Sequence, residues 1–433
     1  MKNFVNNIID FYVIIVQISF KITIIPYFLF SKFPYNWSLI LLLNGLILFG
    51  LLFIRFGFKI YSIKRILHFE PMICFFLLLF FQFISGVIKM DLNYIIFPLI
   101  LMFNFIVFII YINNLFKFKT NKIKSIIDLK KHYFKLISSY TFFSVFQAFI
   151  VVLSGFLILS NLIPLLGNNI NHLFPELLSS NVDVGTQYYM PGWLSIQTTN
   201  IRLDAINLGT LSGWTHEPHV FTYLIIPAFF FIMAKYQYKS ILFKFGICLL
   251  FTNASLFSFS VTSIIALSIL FLLKQFTSLK FLFVSVIAIS IGVIIINQVE
   301  IEIFNNIFDY IYNKLFNDTS SADYTSNKLS QILIPQNVFG DGILLLSLNK
   351  IKSAGVFSTL LYLLFYFLLF KKLFYLIKSN SQFHSLMGMG FMYFFLHGLK
   401  VSSSVFAMPI TIYMLTLLSI YYSYFFKVKK QTL

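Results

Sequence analysis

The sequence predicts an all-α polytopic membrane protein, a single domain over residues 1–433 with about twelve transmembrane helices and two long non-cytoplasmic loops. Three observations predict it. Hydrophobic residues make up 59% of the 433 positions and charged residues only 11%, an excess that no water-soluble core could hide. The apolar residues fall into runs close to the roughly 20 needed to cross a bilayer. The basic residues behind the net charge of +18 come in bursts between those runs, as the positive-inside rule requires, and not along one face as nucleic-acid binding would. No nucleic-acid partner is expected.

Taken in order, the first apolar run, 9 to 30, follows a single lysine, Lys2, and lacks a small-residue cleavage site; it reads as a retained span, not a signal peptide. The run 38 to 54 meets the basic cluster Arg55 to Arg65, and runs 69 to 89 and 93 to 112 lead to the cluster Lys117 to Lys135. The run 137 to 160 opens into the first long loop, 161–218, and 219 to 235 returns to Lys235 to Lys244. Runs 240 to 257 and 259 to 273 form a tight hairpin turning near Ser255 and Ser258, which must lie at an interface or under protein because lipid cannot hydrogen-bond a bare backbone. The run 281 to 297 opens into the second long loop, 298–352, and 353 to 370 returns to Lys371 to Lys378. Runs 383 to 399 and 405 to 425 lead to the tail Lys427, Lys429 and Lys430. Placing every cluster in the cytoplasm puts both termini there, whereas an odd number of spans would split the clusters between faces.

The lean toward Phe, Ile, Lys, Asn and Tyr fits AT-rich coding and carries no functional weight. Cys74 and Cys248 sit in apolar runs and read as small buried hydrophobes with no disulfide between them. No internal repeat is visible, which argues against a transporter built from two similar halves.

The first long loop has no lysine, and its permanent cation is Arg202, one of only three arginines with Arg55 and Arg65. In a chain whose composition favours lysine, arginine here is a chemical choice: its planar fork grips phosphate oxygens bidentately. The competing reading is a surface ion pair with Asp204 or Glu217. From Arg202 the chain runs RLDAINLGTLSGWTHEPH to His219, where the sixth span begins. Pro218 suits a first helical turn and Glu217 the cap before it. The N-terminal end of that helix favours an anion. Glu217 is then a capping carboxylate or a general base, and His216 or His219 is a base or an interfacial polar residue. Trp214 reads as an interfacial anchor before a substrate platform.

The arrangement of an arginine, a glycine-containing stretch and Glu-Pro opening a span after a long external loop resembles the O-antigen polymerase (Wzy) group of the O-antigen ligase and polymerase superfamily. The segment FSFSVTS, Phe257 to Ser263, is similar to that family's Ser/Thr-rich stretch. VFGDG, Val338 to Gly342, and SAGVFSTLLYLL, Ser353 to Leu364, resemble its glycine turn and following span. The matched stretches are short and loose and cover about a third of the chain. Two departures stand out. Glu217 and Pro218 replace the His-Pro or Pro-Asn usual in the ligase branch, which favours a polymerase. No histidine lies between Gln298 and Lys352, so a base from the second loop is not carried over.

The resemblance implies a metal-independent glycosyltransferase without cofactor in the bacterial cytoplasmic (inner) membrane. It would join polyprenyl-diphosphate-linked oligosaccharides, of O-antigen or capsule type, on the external face. Donor, acceptor and membrane lipids are the partners, with a chain-length regulator by analogy. The chemistry needs cations for the diphosphate and a base for the acceptor hydroxyl. Arg202 is the first cation, with Lys350 and Lys352 beside it, and Glu217, His216 or His219 is the base. Asn349, His397 and Lys400 form a second tier. Ile303 to Phe316 reads as an interfacial or ordinary loop helix. A ligase that transfers glycan to a lipid or protein, and a lipid-linked oligosaccharide flippase, are the alternatives.

Overall fold

The structure is a computed structural model, and it describes residues 37–56, 69–90, 92–120, 126–164, 167–170, 187–203, 208–215, 218–275, 355–400 and 409–426. Ten α-helices occupy most of them. They are α1 (Trp37–Phe56), α2 (Glu70–Lys89), α3 (Leu92–Thr120), α4 (Ile126–Leu159), α5 (Pro218–Lys235), α6 (Ile241–Ser258), α7 (Val261–Gln275), α8 (Val356–Ile377), α9 (Gln382–Lys400) and α10 (Pro409–Tyr421). A π-helical turn, Tyr422–Phe426, continues α10. The expected spans at 9 to 30 and 281 to 297, the second long loop and the helix at Ile303 to Phe316 lie outside the described residues.

Six of these helices contain stretches long and apolar enough to cross a membrane: Glu70–Lys89, Ile95–Phe116, Tyr140–Leu159, Pro218–Lys235, Ile241–Ser258 and Val356–Ile377. Shorter apolar helices cover Gly45–Phe56, Thr262–Lys274 and Ile410–Phe426. The expected pair of helices between 240 and 273 forms as α6 and α7, and a serine caps the start of each. Ser240 caps α6 by accepting from the Phe243 amide, and Ser260 caps α7 by accepting from the Ser263 amide. Between them Phe259 adopts a left-handed conformation (φ 41°) that ends α6.

The described residues group into two compact units. In one, α2 packs on α3 through Phe75 and Phe105 (ring centroids 5.6 Å apart) and on α8 through Phe81 and Phe357 (5.8 Å). Tyr413 of α10 donates a 2.6 Å hydrogen bond to the Leu136 carbonyl of α4, and Tyr133 donates one of 3.1 Å back to Leu417. Each phenol thereby buries a ring while satisfying its hydroxyl. Glu70, in the first turn of α2, pairs with Lys372 at 2.8 Å, and that ammonium also lies over the Tyr422 ring.

The second unit holds the later half of α4, α5, α6, α7 and α9. Here α5 is the buried helix, with most of its side chains removed from the surface. Pro227 inside it cannot donate to the carbonyl four residues earlier, and Ser144 of α4 donates to the adjacent Leu224 carbonyl at 3.3 Å. α9 approaches α5 closely at Gly390, where a Cβ would sit 2.7 Å from the Phe231 ring and 3.1 Å from the Pro227 carbonyl oxygen.

The first long loop contains structure that the sequence did not announce. Four short antiparallel strands, β1 (Asn168–Asn169), β2 (Tyr188–Met190), β3 (Gln197–Leu203) and β4 (Leu208–Leu211), form a sheet in sequence order. The register of β3 with β4 shifts between Thr198 and Leu203. Polar strands of two to seven residues give no period-2 signal strong enough to read.

Candidate functional site: a histidine pair at the start of α5

The sheet is anchored where it feeds into α5. After β4, residues Ser212 to Thr215 turn back across β3: the Gly213 carbonyl accepts from the Ile196 amide at 2.6 Å, and the Gly213 amide donates to Ser195 Oγ at 2.9 Å. Gly213 has a positive φ of 59°, and a Cβ there would lie 2.5 Å from Gln147 Oε1. Glycine alone meets both conditions. Gln147, fully buried on α4, accepts from the Trp214 amide at 2.8 Å. The Trp214 indole donates to the Leu194 carbonyl at 2.9 Å and packs edge-on against Phe146. Trp214 is thus an anchor of the turn.

Three residues past Thr215 the chain enters α5 at Pro218, as the missing proline N–H favours. His219 follows in the first turn and is half-buried. Its ring lies 6.3 Å from that of His397, near-parallel to it, and His397 is fully buried at 0% exposure. Tyr223 and Tyr393 complete the setting, with centroids 5.3 and 5.6 Å from the His397 ring. Below them Ser263 of α7 shares a 2.8 Å hydrogen bond with the Tyr393 hydroxyl, and Thr222 donates to the His219 carbonyl at 3.1 Å. Three helices therefore converge on one buried polar patch.

Of the residues singled out from sequence, the structure brings together His219 and His397, which stand far apart in the chain. Arg202 has its backbone in β3, beside Leu203, whose partner across the hairpin is Leu208. Lys400 ends α9. The side chains of Arg202 and Lys400 lie outside the described residues, as do His216, Glu217, Asn349, Lys350 and Lys352 altogether. Among the described residues no three His, Cys, Asp or Glu side chains gather into a metal-sized cluster.

Tyr223, Tyr393 and Thr222 escaped the sequence reading, and Ser263 was noticed only as part of a Ser/Thr-rich stretch. A signal was present. Two helices each carry a histidine and a tyrosine four residues apart, His219 with Tyr223 and Tyr393 with His397, the spacing that puts both on one helix face.

An imidazole pair in this setting can do acid–base work. Each neutral ring offers one donor and one acceptor nitrogen. Polar side chains buried within membrane helices are costly and mark function more often than structure. Compared with protein-family models, curated proteins and solved structures, the chain matches none.

Proposed function

We propose that this protein is a membrane glycosyltransferase that polymerises polyprenyl-diphosphate-linked oligosaccharide repeat units on the external face of the bacterial cytoplasmic membrane. The reading includes about twelve spans with both termini in the cytoplasm. The observation that carries it is the pairing of half-buried His219 with fully buried His397 at the start of α5, the helix that follows the arginine-bearing sheet.

The reaction asks for a small number of groups. A hydroxyl of the acceptor glycan attacks the anomeric carbon of the donor, the bond from that carbon to the diphosphate oxygen breaks, and the lipid diphosphate departs with the electron pair. A base takes the hydroxyl proton, and we assign that role to the histidine pair, with Glu217 and His216 in the adjoining segment as supporting candidates. Cations must meet the charge that grows on the leaving oxygen. Arg202 takes this role first, and Lys350 and Lys352 support it. The long prenyl chain stays in lipid while the diphosphate reaches the helix mouth, so the substrate arrives sideways through the bilayer. A chain-length regulator is a partner in this scheme.

Arg202→Ala tests the reading in cells. It should leave the protein in the membrane at normal level and reduce the glycan to single repeat units. Long carrier-linked chains that accumulate without transfer would instead mark a ligase, and normal long-chain glycan would remove Arg202 from the site. Elongation by purified protein in detergent, where there is no second compartment, separates a polymerase from a flippase.

A further inference from the structure

We propose that the side-chain amide of Gln147 binds a phosphate oxygen of the lipid carrier, in the seam between α4 and the first turn of α5. The diphosphate as ligand rests on the function proposed above, whereas an oxyanion site in this seam stands without it.

The fold accounts for only half of this amide. The Trp214 N–H can only donate, so the atom that faces it at 2.8 Å is the carbonyl oxygen Oε1, and that fixes which way round the amide lies. The two protons on Nε2 are then directed away from that bond. Gln147 is at 0% exposure, and among the described residues Nε2 has no hydrogen-bond partner. A buried donor left unmet costs the free energy of its lost hydration, which a side chain without that donor would avoid. Holding the Trp214 turn needs the oxygen alone. The nitrogen is surplus to that role.

Its location identifies the ligand chemistry. Ser144 and Gln147 stand three apart on one face of α4, and Ser144 donates to the Leu224 carbonyl of α5 at 3.3 Å. One turn further along α4, Gln147 comes level with Phe221: a Cβ at Gly213 would lie 2.5 Å from Gln147 Oε1 and 3.3 Å from the Phe221 ring. Phe221 is three residues inside the Pro218 start of α5, about 4.5 Å of helix rise. The opening N–H groups of a helix have no acceptor within it and carry the positive end of its dipole. The first turn of α5 contains no acidic residue. Donors therefore meet from two helices, and a ligand oxygen with lone pairs and no proton of its own matches them. A phosphate fits that description, whereas a sugar hydroxyl brings one more proton into the seam.

Gln147 is covered by the turn it anchors, so a ligand that takes its Nε2 protons has to part that turn from α4. Trp214 then reports the event. Changing Trp37 and Trp193 to phenylalanine leaves Trp214 as the one tryptophan of the chain. In this full-length protein, purified in detergent, geranylgeranyl diphosphate should shift tryptophan fluorescence saturably, and geranylgeraniol, the same chain without phosphate, should not. Gln147→Glu keeps an oxygen for the Trp214 amide but puts an acceptor where the donor was. It should weaken geranylgeranyl diphosphate about tenfold or more, the scale of a hydrogen bond to a charged group. Gln147→Leu, which has no proton to give, makes the same comparison if the carboxylate prevents folding. Competition by inorganic diphosphate would uphold a phosphate-oxygen site. Phosphatidylglycerol competing as well as geranylgeranyl diphosphate would assign the site to a membrane headgroup and overturn the carrier as its ligand. Equal affinity in the parent and the Gln147 variants, an equal shift with geranylgeraniol, or no saturable shift at all would overturn the proposal. Gln147-dependent binding by a protein that extends no glycan would uphold the oxyanion site and overturn the proposed function.

Discussion

Helices α5 and α6 are consecutive, each 18 residues long and of similar hydropathy, yet 72% of α5 is buried inside the protein and only 17% of α6. Hydropathy decides that a segment enters a bilayer, but it does not say whether lipid or protein will surround it there. What separates the two is where polar side chains are placed. On α5, His219 and Tyr223 face rings of α9, His397 and Phe394, and Thr222 lies on the same side of the helix. On α6 the Asn253 amide folds back on its own helix to the Leu249 carbonyl, and Phe245, Leu249 and Leu256 are exposed, as lipid contact suits. One helix uses its polar groups to recruit neighbours and the other hides them from hydrocarbon.

Function should break along the same line. His397→Ala, on the helix that faces α5, should reduce glycan extension by about 100-fold or more, the scale of a lost acid–base group. Asn253→Ala on α6 should leave it within twofold of the parent. Counting repeat units per chain on gels checks both, and equal losses would erase the distinction between buried and lipid-facing helices.

Stability gives a second cut. Gln147→Leu removes the acceptor of the Trp214 amide and should destabilise the protein by about 1–3 kcal/mol, the penalty of leaving a buried donor unsatisfied. Gly390→Ala and Gly246→Ala sharpen the comparison because the same substitution should have opposite signs. At Gly390 the new methyl meets the Phe231 ring and the Pro227 carbonyl, so overpacking of about 1–3 kcal/mol is expected. At Gly246 nothing lies within 4 Å, so Ala should be neutral or stabilise by about 0.4–1 kcal/mol through its smaller backbone entropy. Apparent melting temperatures in detergent read all three, and a fall at Gly246 as large as at Gly390 would contradict the packing described.

The contrast also explains what the sequence could and could not disclose. The positions of the six long apolar helices were legible because burial in lipid demands a long apolar run whatever the neighbours. Their ends were less so: α4 begins at Ile126, well before the apolar run from 137, because a helix can continue through Asp128 and Lys131 in water without an apolar signal. α9 carries His384 and His397 and is too polar to join the six apolar spans, and it lies buried against other helices instead. The start of α5 was readable from Pro218, a purely local cue. The pairing of His219 with His397 was not, since it depends on two helices meeting across much of the chain. Tyr223 and Tyr393 were hidden for a compositional reason: they are two of 24 tyrosines in a chain that is 20% aromatic. The sheet in the first loop escaped because strands as short and polar as Asn168–Asn169 resemble any loop.

The most direct test of the central claim uses purified protein in detergent supplied only with lipid-linked single repeat units. The parent protein should build a ladder of longer glycans, and the His397→Ala protein, folded and equally abundant, should leave the single units untouched. A full ladder from His397→Ala would contradict the assignment of the histidine pair, and no ladder from the parent would contradict the polymerase reading itself.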